Sequence, residues 1–66
     1  MVNETDGFRM IKMENLTPGT LVRTWNGQVF TAAYFDFYPG GEVAIKDGFG
    51  RERIRYNINQ YIEAKQ

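Results

Sequence analysis

Residues 34–57 read Tyr34-Phe35-Asp36-Phe37-Tyr38-Pro39-Gly40-Gly41-Glu42-Val43-Ala44-Ile45-Lys46-Asp47-Gly48-Phe49-Gly50-Arg51-Glu52-Arg53-Ile54-Arg55-Tyr56-Asn57. Two glycine-rich turns, Pro39-Gly40-Gly41 and Asp47-Gly48-Phe49-Gly50, divide this stretch into β-strands, because glycine supplies the backbone conformations that tight reversals demand. Side chains alternate between the faces of a strand. Val43 and Ile45 therefore share one face, opposite Glu42, Ala44 and Lys46. In the next strand Glu52, Ile54 and Tyr56 lie opposite Arg51, Arg53 and Arg55. A two-residue tip pairing Asp47 with Gly50 predicts Val43 against Ile54 and Glu42 against Arg55. It also sets Lys46 beside Arg51 and Ala44 beside Arg53. The expected core face is Val43, Ile45, Ile54 and Tyr56, backed by a basic outer face.

Working outward, Leu16-Thr17-Pro18-Gly19 has the proline and glycine of a type II turn. Strand one follows from Thr20 to about Trp25, and Asn26-Gly27 is a strong hairpin signal. Strand two spans Gln28 to about Tyr38; its length predicts a bend or bulge midway. Strand three is Glu42–Lys46 and strand four Arg51 to about Asn57. The tail admits a short helix capped by Asn57 or Asn59, or a 3₁₀ turn at 57–59 leading to a fifth strand from Tyr61 to Ala64. The second is preferred, since a closing strand hides the edges of the meander. Residues 8–13 form either a leading strand or an arm. Residues 1–15 are expected to be a flexible or arm-like segment, and residues 16–66 an all-β, five-stranded barrel with a short 3₁₀ turn before its last strand.

Composition narrows the chemistry. The 66 residues contain no His, Cys or Ser. Thiolate or imidazole zinc sites are thereby excluded, as are Ser-His and Cys-His nucleophiles and a histidine base near neutral pH. No carboxylate spacing marks an acid–base pair. The expectation is a non-enzymatic protein without metal or cofactor. Length allows one domain, with a core supported by 15% aromatic content and no disulfide. The start lacks the basic and apolar runs of a signal peptide, and no stretch reaches the roughly 18 apolar residues of a membrane span. A cytoplasmic location is expected, with no membrane partner. Eight basic residues balance eight acidic ones, which weighs against general nucleic-acid binding.

The order of turns and strands resembles the SH3-like small barrel shared by KOW, Tudor and bacterial SH3-like modules. It covers roughly Leu16 to Ala64, ending in Asn59-Gln60-Tyr61-Ile62. The resemblance implies a bent five-stranded barrel with ligands on its loops and aromatic-lined faces. Gly27-Gln28-Val29, Pro39, Gly41 and Tyr56 are also spaced similarly to plasmid-encoded type II dihydrofolate reductases, SH3-like chains that build one pore from four copies. That likeness implies the barrel and self-association. It carries no reductase chemistry, because the family's Val-Gln-Ile-Tyr run is replaced here by Arg53-Ile54-Arg55-Tyr56 and only the tyrosine is kept.

Strand two carries aromatic residues on both faces: Phe35 and Phe37 on one, Phe30, Tyr34 and Tyr38 on the other. One set exceeds what a small monomer normally exposes. The expected function is a small protein-binding module, an adaptor or inhibitor of the kind that phages and mobile elements encode. Its partner is a larger protein, or a second copy of the chain. The partner surface is Trp25, Tyr34, Tyr38, Phe49, Arg51, Arg53 and Arg55, residue types that dominate interface energetics. The alternative is a nucleic-acid-binding KOW-type module using Arg23, Lys46, Arg51, Arg53 and Arg55. Arginines at every second strand position repeat at about 6.6–7 Å, near the phosphate repeat of an extended single strand.

Overall fold

Strands form at Arg9–Lys12 (β1), Thr20–Arg23 (β2), Val29–Ala32 (β3), Tyr34–Tyr38 (β4), Glu42–Lys46 (β5), Glu52–Asn57 (β6) and Tyr61–Lys65 (β7) in the computed structural model, which describes residues 7–65. Residues 1–6 of the segment expected to be flexible or arm-like, and Gln66, lie outside the described residues. The strands make two open antiparallel sheets, ordered β1-β7-β2-β3 and β4-β5-β6. The expected closed, five-stranded SH3-like barrel is therefore corrected to two separate sheets of four and three strands. Among the described residues no ladder joins them.

Two local events account for the difference. The segment read as one long bent strand is two strands in different sheets, with the break at Ala33. The Ala33 N–H donates to the Lys46 carbonyl at 2.9 Å, which hands the chain to β5. Second, β1 pairs with β7 (Arg9 opposite Ala64, Lys12 opposite Tyr61) while β7 also pairs with β2 (Arg23 opposite Glu63). Both edges of the closing strand are thus occupied, and none is left to join β6. The expected 3₁₀ turn before the last strand is also displaced. A 3₁₀ turn occupies Met13–Asn15. Residues 57–60 make a single reversal, in which Gln60 N–H donates to the Asn57 carbonyl and Asn59 N–H to the Asn57 side chain.

Between the sheets, Val22, Phe30, Ala32, Ile62 and Ala64 meet Val43, Ile45, Ile54 and Tyr56, with Met13 and Leu16 in the same cluster. Ile45, Ile62, Val22 and Val43 are the largest fully buried side chains. The break at Ala33 also resolves the two-faced aromatic pattern. Changing sheets resets the alternation, so Phe30 is buried and Phe35 packs against the same core. Tyr34 stays 55% and Phe37 69% exposed. Among the described residues no helix is long and apolar enough to cross a membrane.

The β5–β6 hairpin is one residue longer at its tip than predicted. Asp47 N–H donates to the Arg51 carbonyl and Gly50 N–H to the Asp47 carbonyl, both at 3.0 Å. Gly50 has φ +80°, a conformation that favours glycine. A bulge then interrupts the ladder between Ile45 and Lys46. Val43 consequently faces Tyr56, Ile45 faces Ile54, Ala44 faces Arg55 and Glu42 faces Asn57. Two one-residue shifts sum to an even displacement, which leaves the core residues on their face while changing every partner. Near the tip the alternation fails: Glu52 lies opposite Lys46, and Arg53 is the extra residue on β6.

Candidate functional site

The bulge decides what becomes of the arginines. Arg55 donates from Nε to Glu52 at 2.8 Å and from Nη1 to Glu42 at 3.3 Å, with its guanidinium 4.4 Å from the centre of the Tyr38 ring. Arg53 turns elsewhere. Its Nε donates to Gln28 Oε1 at 2.9 Å and its Nη1 to Asp47 Oδ2 at 3.2 Å, over the buried Phe30 ring at 4.6 Å. Arg51 sits at the tip, 3.6 Å from Asp47 and 5.6 Å from the Phe49 ring. Lys46 pairs with Asp36 at 2.6 Å. The expected continuous basic face is in fact a set of separate ion pairs, most of them backed by an aromatic ring. These contacts leave their mark on titration. The hydrogen bond from Arg55 holds Glu52 below the usual carboxylate range, and the one to Asp36 raises Lys46.

Asp47 organises the tip. Its Oδ1 accepts the backbone N–H groups of Phe49 at 2.9 Å and Arg51 at 3.1 Å, while Oδ2 faces Arg53 and Arg51. The residue is 5% exposed. The Arg51 N–H bond is the main cause that lowers its pKa, joined by the Phe49 N–H and Arg53. Phe49, displayed between Gly48 and Gly50, is 86% exposed.

A second region lies where β1, β7 and the end of β2 meet Tyr56 of β6. Trp25 follows β2 in a tight turn closed by the Gly27 N–H to the Thr24 carbonyl at 3.0 Å. The buried Thr24 hydroxyl accepts the Gln28 N–H at 3.0 Å and donates to Asn26. Trp25's own N–H donates to the hydroxyl oxygen of Tyr56 at 2.9 Å. Its backbone is held while its indole is 73% exposed. Alongside stand Met10 of β1 and Tyr61 of β7, 58% and 56% exposed. Together with Tyr56 and the Arg23–Glu63 ion pair they line an open groove of about 180 Å³. The Arg23 guanidinium also stacks 4.3 Å from the Phe8 ring centre. Burial raises the pKa of the Tyr56 phenol, against the lowering effect of the Trp25 N–H.

The nominated residues thus fall into separate places. Trp25 and Arg23 belong to the groove, Phe49 and Arg51 to the hairpin tip. Tyr38, Arg55 and Lys46 lie on the outer face of the three-stranded sheet, with Tyr34 opposite Lys46 in the ladder. Arg53 is tucked against Phe30. Sequence reasoning missed Met10, Tyr61 and Glu63. Their signal was partial: with Ile62 and Ala64 facing the core, Tyr61 and Glu63 must face out, but nothing local places Met10 beside them. No protein-family model, curated protein or solved structure matches this chain. The resemblance to type II dihydrofolate reductases is therefore withdrawn together with the barrel.

Proposed function

We propose that this chain is a small non-enzymatic protein-binding module, an adaptor or inhibitor acting on a larger protein in the cytoplasm, and that it docks through the Trp25 groove. One observation carries the proposal: Met10, Trp25 and Tyr61 are each more than half exposed around one concavity, with the Trp25 backbone N–H held by the Tyr56 hydroxyl. Exposed aromatic residues held in place beside an arginine favour protein contacts. Ion pairing speaks for the same reading. At least six of the eight basic side chains (Lys12, Arg23, Lys46, Arg51, Arg53 and Arg55) already hold a carboxylate. Phosphates would have to compete for them.

The test is capture of the tagged protein from its host's lysate with and without nuclease, using wild type, Trp25→Ala/Tyr61→Ala and Arg51→Glu/Arg55→Glu. The expected result is one protein, recovered stoichiometrically and insensitive to nuclease, lost with the groove variant and kept with the arginine variant. Recovery of nucleic acid that the arginine variant abolishes would replace this reading with the nucleic-acid one.

A further inference from the structure

β4 reads Tyr34-Phe35-Asp36-Phe37-Tyr38, the same in both directions about Asp36, and it is an outer strand of the three-stranded sheet. We propose that β4 pairs antiparallel with β4 of a second copy of this chain, about a two-fold axis at Asp36, joining two three-stranded sheets into one of six strands. This surface is separate from the Trp25 groove, and the inference does not depend on the reading of that groove.

The β4 edge is open where the other edges are guarded. Its residues keep an uninterrupted register with β5, and among the described residues no backbone-to-backbone bond of Tyr34–Tyr38 lies outside that ladder. A row of unpaired N–H and C=O groups is a template for another strand, and sheets blunt it with charge, proline, a bulge or a cover. The other edges carry such devices. Gln28, just ahead of β3, donates to the Arg53 carbonyl on β6 at 3.0 Å, and β6 holds the extra residue of the bulge. β1 begins with Arg9 and ends with Lys12. On β4 the one charge is Asp36, and Lys46 already holds it at 2.6 Å.

The order of residues fits the strand to its own copy. An axis at Asp36 sets Tyr34 opposite the second copy's Tyr38 and Phe35 opposite its Phe37, and the same pairs recur across the axis. Every direct pair off the axis is aromatic against aromatic, a stabilising cross-strand combination. Phe37 shows what is missing. It stands with Phe35 on the core-facing side of β4, opposite the buried Val43, yet it is 69% exposed because no described residue covers it. A neighbouring β4 brings a second Phe35 alongside it. On the outer face Tyr34, 55% exposed, gains a tyrosine ring. The three exposed rings of one copy offer roughly 300 Å²; with the backbone edge, two copies approach the ~1,000 Å² that a specific interface requires. At the axis Asp36 meets its own copy, and two bare carboxylates there would oppose pairing. Each arrives with its Lys46, so the group of four charges is neutral. The same patch serves both copies, which makes the contact isologous and closed at two.

The chain has no cysteine, so single introduced cysteines report the register. Pairing about Asp36 brings the two Asp36 Cα atoms to about 4.5–5.5 Å, within disulfide range. In sedimentation from micromolar to millimolar concentration, the wild-type mass should rise from monomer to dimer and stop there. Asp36→Cys should cross-link into a covalent dimer in a glutathione buffer. Tyr34→Cys and Tyr38→Cys should cross-link when mixed and far less alone, because each then lies roughly 13 Å from its own kind along the ladder. Phe37→Lys places a charge on an exposed edge; it should keep the wild-type circular dichroism and weaken the dimer at least about tenfold. Lys46→Gln should weaken it too, by leaving two carboxylates face to face, and adding Asp36→Asn should restore it. A wild type that stays monomeric, an Asp36→Cys variant that cross-links no better than Phe49→Cys, or a folded Phe37→Lys variant that still dimerises would each overturn the proposal. A monomeric wild type whose captured host protein is lost with Phe37→Lys would assign the edge to a host strand and likewise overturn self-pairing.

Discussion

The outer face of the three-stranded sheet and the groove on the four-stranded sheet are made of the same ingredients, aromatic rings and arginine–carboxylate pairs, in opposite arrangements. On the first, Arg55 lies over Tyr38 and bridges Glu42 and Glu52, while Lys46 holds Asp36. The guanidinium covers Tyr38, 37% exposed, whereas Tyr34 at the other end of the strand stays 55% exposed. In the groove, the Arg23–Glu63 pair sits to the side, and Trp25, Tyr61 and Met10 stay open. A guanidinium above a ring shields apolar area while keeping its own hydration. Tyr38 is thus shielded where a long cation crosses the strand beside it, and the groove residues stay open where the neighbouring cation points to Phe8 instead.

The comparison can be broken most severely from below. Ile45→Ala removes a fully buried side chain between both sheets and should cost about 2–5 kcal/mol. Chemical denaturation followed by Trp25 emission and by circular dichroism should show coincident transitions at lower denaturant. Separate transitions would mean that the two regions fold independently.

Asp47→Asn should come next, loosening the tip while sparing the groove. The carboxyl is held below the ordinary Asp value, so the folded state binds this proton less readily than the unfolded chain. Its stabilisation is complete above pH ~3.9 and lost as pH falls through the depressed folded value. Wild type should lose stability along that acid limb, and Asp47→Asn should show a flatter one; parallel limbs in acid titrations of the melting temperature would refute the assignment.

Tyr56→Phe sharpens the comparison on the groove side. It removes the acceptor of the Trp25 N–H and should cost about 0.5–1.5 kcal/mol, with Trp25 emission reporting a looser turn. Trp25→Ala is the smallest change. The indole is 73% exposed, so stability read by circular dichroism should move by no more than ~0.5 kcal/mol while groove-dependent binding is lost. A large destabilisation would show that the indole serves the fold.

Much of the local structure was legible. The turns at Pro18-Gly19, Asn26-Gly27 and Pro39-Gly40-Gly41, the strand Glu42–Lys46 and the last strand near Tyr61 all lie where turn chemistry and alternation put them. The core residues Val43, Ile45, Ile54 and Tyr56 were also legible, because an even register shift preserves faces. The pairing of individual residues was not. Whether a Gly-Phe-Gly tip closes over two residues or three depends on Asp47 finding Arg53 and two backbone N–H groups. The bulge beside Ile45 is likewise a compromise between the tip and the core. Barrel closure was not legible, because strand positions are local while strand partners are not.

Alternation and turn residues by themselves determined an all-β chain and its core faces, and the composition left these 66 residues without a His, Cys or Ser side chain. These follow from backbone sterics and side-chain chemistry that act within a few residues. The tertiary structure alone decided that Ala33 divides one strand between two sheets, that β1 takes the second edge of β7, and that Arg51, Arg53 and Arg55 part company. It also brought Met10, Trp25 and Tyr61 together from three distant segments. Such outcomes turn on which edges compete for the same hydrogen bonds and which side chains find ion partners across the fold. That competition is settled only when the whole chain is packed.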